Sequence, residues 1–321
     1  MEDININGKA FLVTGGAGFI GSHIVQFLLD NNASFVRVID NLSTGKKENI
    51  NHLLLKYKNL EFLYDDITDY DACVRAMEKI DIVCHQAALG SIPRSVNDPL
   101  ISHNANVNGF INILEAARKN NIKRFIYASS SSVYGDNNNF PKIEEYIGKQ
   151  LSPYAVTKYI DELYASVYTK LYNMECVGLR YFNVFGPRQD PLGPYAAVIP
   201  KFIDSISKGI SATINGNGSY SRDFTYVDNV VQANINAMIT TNNECFGQVF
   251  NIGCGARITI MELYNIINNT IGENVIPIFG NKREGDIPHS LADITKAKIL
   301  LNYNPRVSVA DGLEKTIKTF L

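Results

Sequence analysis

The sequence predicts a doubly wound α/β fold, a parallel sheet covered by helices on both faces, with a smaller α/β domain after it. Three observations predict it. Short β-branched runs alternate with amphipathic helical stretches through the first half of the chain, the order that builds parallel sheets. A glycine-rich turn joins the first run to the first helical stretch. Asp40 closes the second run, about where dinucleotide-binding folds place an acid after those glycines.

The elements follow in order. Ala10–Thr14 reads as a buried strand, 20–31 as a helix and 35–40 as the second strand. A strand at 60–64, a helix at 70–77 and a strand at 80–85 continue the alternation. Residues 99–119 carry one long helical pattern, 124–129 a strand, Pro153–Tyr172 a helix and 177–182 a strand. Right-handed crossovers follow from strand twist. Past Gly186 the pattern loosens into Gly, Pro and Asn, with a helix at 198–208, a strand at 249–253 and a helix at 260–270. The stretch 186–193 therefore reads as a boundary. A nucleotide-binding domain is expected over 1–186, with some later segments interleaved, and a substrate-binding domain over 187–321. On the 153–172 helix, Ile160, Leu163, Tyr164, Val167, Tyr168 and Leu171 share one face, for which core packing is the plain reading.

Composition narrows the function classes. The chain has 321 residues, 45% of them hydrophobic, enough for a nucleotide-binding core and a second domain. A net charge of −2 makes no electrostatic case for nucleic acid. Residues 1–9 are polar and lack a signal-like apolar region, and no apolar run is long enough to span a bilayer. Cys73, Cys84, Cys176, Cys245 and Cys254 are scattered and form no CxxC pair. They read as reduced thiols of a cytoplasmic protein. No histidine clusters with them, so no metal site is expected.

The first strand runs into Thr14-Gly15-Gly16-Ala17-Gly18-Phe19-Ile20-Gly21, the Rossmann pattern in its proper context. Gly15 permits the tight turn, Gly18 lets backbone approach a pyrophosphate and Gly21 lets helix pack on strand. The helix start supplies N–H groups and the positive dipole end for an anion. Asp40 suits the hydroxyls of an adenosine ribose and repels a 2′-phosphate, and no arginine follows it, which favours NAD over NADP. Asp66 ends the third strand, where an adenine ring lies in this fold. It can accept a hydrogen bond from the exocyclic amine.

Tyr154 and Lys158 are four apart behind Pro153, so they share a helix face. A phenol ordinarily titrates near about 10, and a neighbouring ammonium favours the phenolate. The run Ala128-Ser129-Ser130-Ser131-Ser132 leaves the carboxyl end of a strand, the edge where open α/β sheets bind ligands. A hydroxyl there can hydrogen-bond a substrate oxygen.

The glycine turn, the serine-rich strand end and the Tyr154–Lys158 helix resemble the extended short-chain dehydrogenase/reductases, the NAD-dependent epimerase/dehydratase family. Gln86-Ala87-Ala88, Asn106-Val107-Asn108-Gly109, Leu179-Arg180-Tyr181-Phe182-Asn183 and Ser221-Arg222-Asp223-Phe224 fall in family order, so the resemblance runs nearly the whole length. Within the family, the stretches 88–95 and 195–201 look most like bacterial UDP-N-acetylglucosamine 4-epimerases.

The resemblance implies a catalytic Ser130, Tyr154 and Lys158. It implies that NAD is held by Gly15, Gly18, Phe19, Ile20, Gly21, Asp40, Asn41, Ser43, Gly45, Asp66, Ile67, Gln86, Ala87, Ala88, Asn106 and Tyr181, together with Tyr154 and Lys158. It implies that a UDP-sugar meets Gly90, Ser91, Ser130, Ser131, Tyr154, Asn183, Ala197, Val198, Lys201, Asn215, Arg222, Arg283, Asp286 and Ser290. The family's usual Asn-Ala-Ala is Gln86-Ala87-Ala88 here, a small departure. In related epimerases the residue matching Ser290 walls the pocket beside the sugar's C2 substituent, and serine leaves room there for an acetamido group. The implied reaction interconverts UDP-GlcNAc and UDP-GalNAc through a 4-keto sugar, in a homodimer paired through its long helices. A 4,6-dehydratase is disfavoured because relatives of that kind carry Asp-Glu where Ser131 and Ser132 stand. A uronate 4-epimerase or decarboxylase, with Arg94 near the carboxylate, is the closer rival. A non-catalytic NAD-binding protein is disfavoured by the intact serine, tyrosine and lysine set.

Overall fold

The computed structural model describes residues 6–192, 196–281 and 287–321. Its centre is a seven-stranded sheet, parallel in every pairing. The first six strands are β1 (Ala10–Thr14), β2 (Phe35–Ile39), β3 (Leu60–Leu63), β4 (Ile82–His85), β5 (Arg124–Ser130) and β6 (Glu175–Tyr181). From one edge the order is Gln248–Ile252, β6, β5, β4, β1, β2, β3. The chain starts in the middle, moves to one side, then crosses to the other, so the topology reverses between β1 and β4. That reversal opens a crevice at the carboxyl edge.

Strands buried on both faces read as near-continuous apolar runs, and β1 shows why. Phe11 and Val13 enter one core with helices α1 (Phe19–Asp30) and α2 (Glu48–Lys56). Ala10 and Leu12 enter the opposite core with α3 (Tyr70–Ala76). Each such fully buried aliphatic side chain contributes roughly 1.5–3 kcal/mol.

The long pattern at 99–119 is not one α-helix. Ile92–Asn97 forms a short helix, α4, and Pro99–His103 another, α5. Residues Asn104–Asn108 then make a π-helical turn before α6 (Gly109–Lys119). The extra residue in that turn aims Asn106 inward. Its Oδ1 accepts the Leu89 N–H at 2.7 Å and its Nδ2 donates to Thr157 Oγ1 at 3.1 Å. A Cβ on Gly109 would lie 2.6 Å from the end of the Ile67 side chain, so any larger residue there must displace that isoleucine.

Helix α7 (Pro153–Tyr172) runs as its sequence predicts, started by Pro153 and capped by Ser152 Oγ, which accepts the Ala155 N–H at 3.2 Å. Its apolar stripe is not core. Leu163, Tyr164, Val167 and Leu171 are exposed, while Ala155, Asp161, Glu162 and Ala165 face inward. The inward face is partly polar because it carries the site.

After Gly186 the chain builds α8 (Val198–Ser207) and α9 (Val227–Ile239), then α10 (Ile260–Ile271), α11 (Thr295–Leu301) and α12 (Val309–Phe320). Part of this half returns to the central sheet. Strand Gln248–Ile252 completes the sheet beside β6, and α9 packs against α1. The remainder has its own core, where Phe202 of α8 meets Tyr264 of α10, with Ile214, Phe224, Leu313 and Ile317 around them. Among the described residues no helix is long and apolar enough to cross a membrane, and no His/Cys/Asp/Glu group is set to hold a metal. All five cysteines are free thiols.

Candidate active site

One groove follows the carboxyl edge of the sheet from Asp40 and Asp66 to Tyr154, Lys158 and Tyr181. Its middle is the turn between β1 and α1. Gly15 has φ +66°, and a Cβ there would lie 2.7 Å from the Ala87 backbone nitrogen. Gly18 N donates to Gly15 O at 3.0 Å, and a Cβ on Gly21 would lie 2.2 Å from that same oxygen. The start of α1 is therefore pressed onto the strand end. No side chain caps α1 and no acid lies in its first turn, so its N–H groups and positive end are available to an anion in the groove.

Asp40 is buried and held by two backbone donors, Ala17 N at 3.0 Å and Leu42 N at 2.8 Å. Burial raises its pKa against those bonds. Gly45 lies over it, since a Cβ there would come within 2.9 Å of the carboxylate. The nearby lysines are turned away: Lys46 pairs with Asp190 at 3.1 Å and Lys47 lies over the Phe62 ring. This arrangement suits ribose hydroxyls better than a 2′-phosphate.

At the same end Asp66 accepts from Thr68 N and Thr68 Oγ1 at 2.8 Å and from Asn41 Nδ2 at 2.7 Å. Burial works to raise its pKa, but these bonds outweigh it and keep the carboxyl below its ordinary value. Asn41 Oδ1 in turn accepts the Ser43 N–H at 2.9 Å. Ile67 completes that end of the groove.

The floor is Gln86–Ala87–Ala88. Ala87 N donates to Thr14 Oγ1 at 3.1 Å. The Tyr181 hydroxyl meets Gln86 Oε1 at 3.0 Å and accepts from Asn234 Nδ2 at 2.8 Å, while Gln86 Nε2 donates to Asn234 Oδ1 at 3.1 Å. Burial pushes the Tyr181 pKa up, so this phenol stays protonated. The glutamine at position 86 is thus integrated into a closed side-chain triangle.

The far end is built on α7. Lys158 is almost fully buried, and its Nζ donates to Ala128 O at 3.0 Å and to Asp161 Oδ2 at 3.2 Å. Two of its three N–H bonds are anchored, and the residue still lines the groove. Tyr154 N donates to Ser95 Oγ at 3.0 Å, tying α7 to α4. The Tyr154 hydroxyl stands over Gly90, 4.0 Å from where a Cβ on that glycine would be. Ser91 is spent as the cap of α4, its Oγ accepting from Arg94 N at 3.2 Å. Ser130 Oγ accepts from the Ser132 N–H at 3.1 Å and from the Ser132 hydroxyl at 3.0 Å, which leaves its own proton to donate. Ser131 begins the 3₁₀ turn that follows. Ser129 is different: its hydroxyl is bound to the buried Glu162.

Most residues read as cofactor contacts line this groove. Gly45 and Asn106 do not; Gly45 packs over the Asp40 carboxylate, and Asn106 is fully buried and holds the Leu89 backbone. Neighbouring Ala105 faces the groove instead, a consequence of the π turn. The sequence reading also missed Asn234, whose signal is an amide in the buried phase of α9, and Asp161.

The residues read as substrate contacts in the second half form a separate group, none of which lines the groove. Asn183 Nδ2 donates to Asp223 O at 2.9 Å. Arg222 Nη1 donates to Ser221 O at 3.0 Å and to Pro288 O at 3.1 Å, and Ser290 N donates to Ser221 O at 3.0 Å. Asp223 fixes the strand end by accepting from the N–H groups of Cys254, Gly255 and Ala292. Ala197 and Val198 start α8, Lys201 lies in its first turns, and Asn215 ends the short strand Thr213–Asn215. Arg283 and Asp286 lie outside the described residues.

With the groove in view, comparison with known proteins is decisive. Residues 11–253 match the model of the NAD dependent epimerase/dehydratase family. The chain belongs to that family. It is 41% identical over 308 residues to a putative UDP-glucose 4-epimerase of Methanocaldococcus jannaschii, covering 95% of this chain and 96% of the relative. A solved UDP-N-acetylglucosamine 4-epimerase from Methanobrevibacter ruminantium M1, in complex with UDP-N-acetylmuramic acid, is 42% identical with a TM-score of 0.92 and 98% coverage of each chain. A UDP-glucuronic acid 4-epimerase from Bacillus cereus, solved with UDP-glucuronic acid and NAD, is 34% identical with a TM-score of 0.89, covering 97% of this chain and 98% of its own.

The groove fits the family's cofactor on its own terms. Asp40 at one end can accept from ribose hydroxyls, the uncapped start of α1 can receive a pyrophosphate, and Lys158 with Tyr154 at the other end leaves room for a nicotinamide. The close approaches at Gly15 and Gly21 leave no space for side chains between the turn and the strand ends.

Proposed function

We propose that this protein is a UDP-N-acetylglucosamine 4-epimerase, inverting C4 between UDP-GlcNAc and UDP-GalNAc through a 4-keto sugar. The observation that carries the reading is the Tyr154–Lys158 pair at one end of a dinucleotide groove, with the lysine anchored by Ala128 and Asp161. The relative of 42% identity that is itself a UDP-N-acetylglucosamine 4-epimerase supports the choice of sugar.

Bound NAD supplies the acceptor for the C4 hydride and, once reduced, its donor. The rest of the reaction belongs to side chains. Tyr154 takes the proton of the O4 hydroxyl, and Lys158 favours the phenolate by charge. Ser130 donates a hydrogen bond to the same oxygen as the carbonyl forms, keeping its own proton. Gly90 leaves open space over the Tyr154 hydroxyl, which a sugar needs if it is to present either face. Arg222 binds the diphosphate through the fork geometry of its guanidinium, so the nucleotide stays fixed while the sugar turns. Tyr154 returns the proton to O4 on the other face.

Ser290 admits the acetamido group. Ser290→Tyr is expected to lower kcat/KM for the acetylated pair by about a hundredfold while sparing UDP-Glc and UDP-Gal, since steric exclusion discriminates strongly. Turnover of each UDP-sugar, measured by product separation, checks this; an unchanged ratio of acetylated to plain turnover contradicts it. UDP-glucuronate in the same panel tests the uronate reading, for which the 34% relative speaks.

The exposed apolar face of α7, with Leu163, Val167 and Leu171, pairs with its copy across a two-fold axis. Light scattering at micromolar concentration is expected to give twice the 35.7 kDa chain mass; a monomer contradicts the pairing.

A further inference from the structure

Asp161 lies directly behind the lysine of the site. It is fully buried, and its Oδ2 is 3.2 Å from Lys158 Nζ. Its other oxygen, Oδ1, has no hydrogen-bond partner. Burying a carboxylate with one oxygen unsatisfied is destabilising relative to an apolar or amide residue. Positioning Lys158 does not require it, because the Ala128 carbonyl also holds the ammonium. The position therefore carries a cost that geometry alone does not explain.

Charge explains it. Four charged groups lie together here. Glu162, the next residue, is in a bidentate pair with Arg180 at 2.8 Å, so those two cancel. Lys158 and Asp161 remain. Across the packed strands Tyr127 is kept protonated by burial, and His85 is kept neutral, its pKa lowered to about 3 by burial and then by Lys158. With Asp161 ionised the cluster sums to zero; without it, a net positive charge faces the groove. An oxidised nicotinamide ring is a cation and the reduced ring is neutral. When C4 gives up a hydride, two electrons and a proton pass to the ring, and the ring charge falls from +1 to zero.

We propose that Asp161 sets the redox poise of the bound dinucleotide by charge, favouring the oxidised form by cancelling the Lys158 charge at that end of the groove. It does not line the groove. Its effect keeps the resting site ready to accept hydride and makes the return of hydride to the keto sugar favourable. The inference rests on the family's cofactor occupying this groove but not on the choice of sugar. Burial pushes the Asp161 carboxyl up to about 7, against the pull of Lys158. The preference should therefore be full above neutrality and fade as the carboxyl takes up a proton.

The test uses holoprotein without any sugar. The protein is equilibrated with a dithiol/disulfide couple and a mediator at fixed potential, and the reduced fraction is read at 340 nm relative to free NAD in the same buffer. At pH 8.5, Asp161→Asn and Asp161→Ala should each raise the ratio of reduced to oxidised bound cofactor by about tenfold, the size expected for one charge removed at roughly 12 Å with an effective dielectric near 20. Wild type should drift in that direction between pH 8.5 and 6, with both variants flat. A ratio within twofold of wild type in the variants, or a wild-type ratio flat across that pH range, overturns the proposal. The wild-type pH series needs no variant to fold. A sugar panel without epimerisation, alongside the expected redox shift, would sink the substrate reading and leave this one standing.

Discussion

Tyr154→Phe is expected to lower UDP-sugar epimerisation by about three to four orders of magnitude, at the upper end of what a positioned acid–base group contributes, with KM little changed. The substitution removes one oxygen and leaves the helix intact. Tyr154 is held through its backbone N–H to Ser95 and its carbonyl oxygen to Thr157, not through its hydroxyl. No other phenol in the groove can replace it, because burial keeps Tyr181 protonated within its triangle with Gln86 and Asn234. Steady-state kinetics alongside a count of bound dinucleotide separates the cases. Lost turnover with retained dinucleotide supports the assignment, and turnover within tenfold of wild type contradicts it.

Gly21→Ala is expected to empty the groove. The added Cβ would come within 2.2 Å of Gly15 O, which is backbone and cannot rotate aside. The start of α1 must lift from the strand end, carrying its free N–H groups away from the pyrophosphate. Overpacking of this kind costs roughly 1–3 kcal/mol, about ten- to a hundredfold in dinucleotide affinity. The 260/280 nm absorbance ratio of the purified protein reads the result. Gly21 has ordinary backbone angles, unlike Gly15 at φ +66°, so this variant tests close approach without left-handed strain.

The parts of this site that sequence makes legible depend on local spacing. The glycine turn, Asp40 and the Tyr154–Lys158 face each lie within a single strand–turn–helix unit, where periodicity of 2 or 3.6 fixes which side chains share a face. The parts that were not legible depend on pairing or packing far along the chain. Asn234 reaches Tyr181 and Gln86 because α9 folds back against α1 and the sheet. Strand Gln248–Ile252 joins β6, pairing Gln248 with Val177 and Ile252 with Tyr181, and this long-range pairing interleaves the two halves of the chain. The π turn at Asn104–Asn108 leaves composition unchanged, so 99–119 reads as continuous helix; the family resemblance, not that helix, implies Asn106 in the groove, where Ala105 stands. The stripe on α7 read as core because sequence spacing identifies a face without showing what lies opposite it.

The most direct test of the account follows the hydrogen on C4. UDP-GlcNAc carrying deuterium at C4 is incubated with the protein in ordinary water, without added NAD, and the UDP-GalNAc formed is examined by mass spectrometry and NMR. The account predicts that deuterium stays on C4 of the inverted sugar, because the hydride is taken and returned within one closed site while Tyr154 handles only the O4 proton. Deuterium lost to solvent, or no product without added dinucleotide, would contradict it.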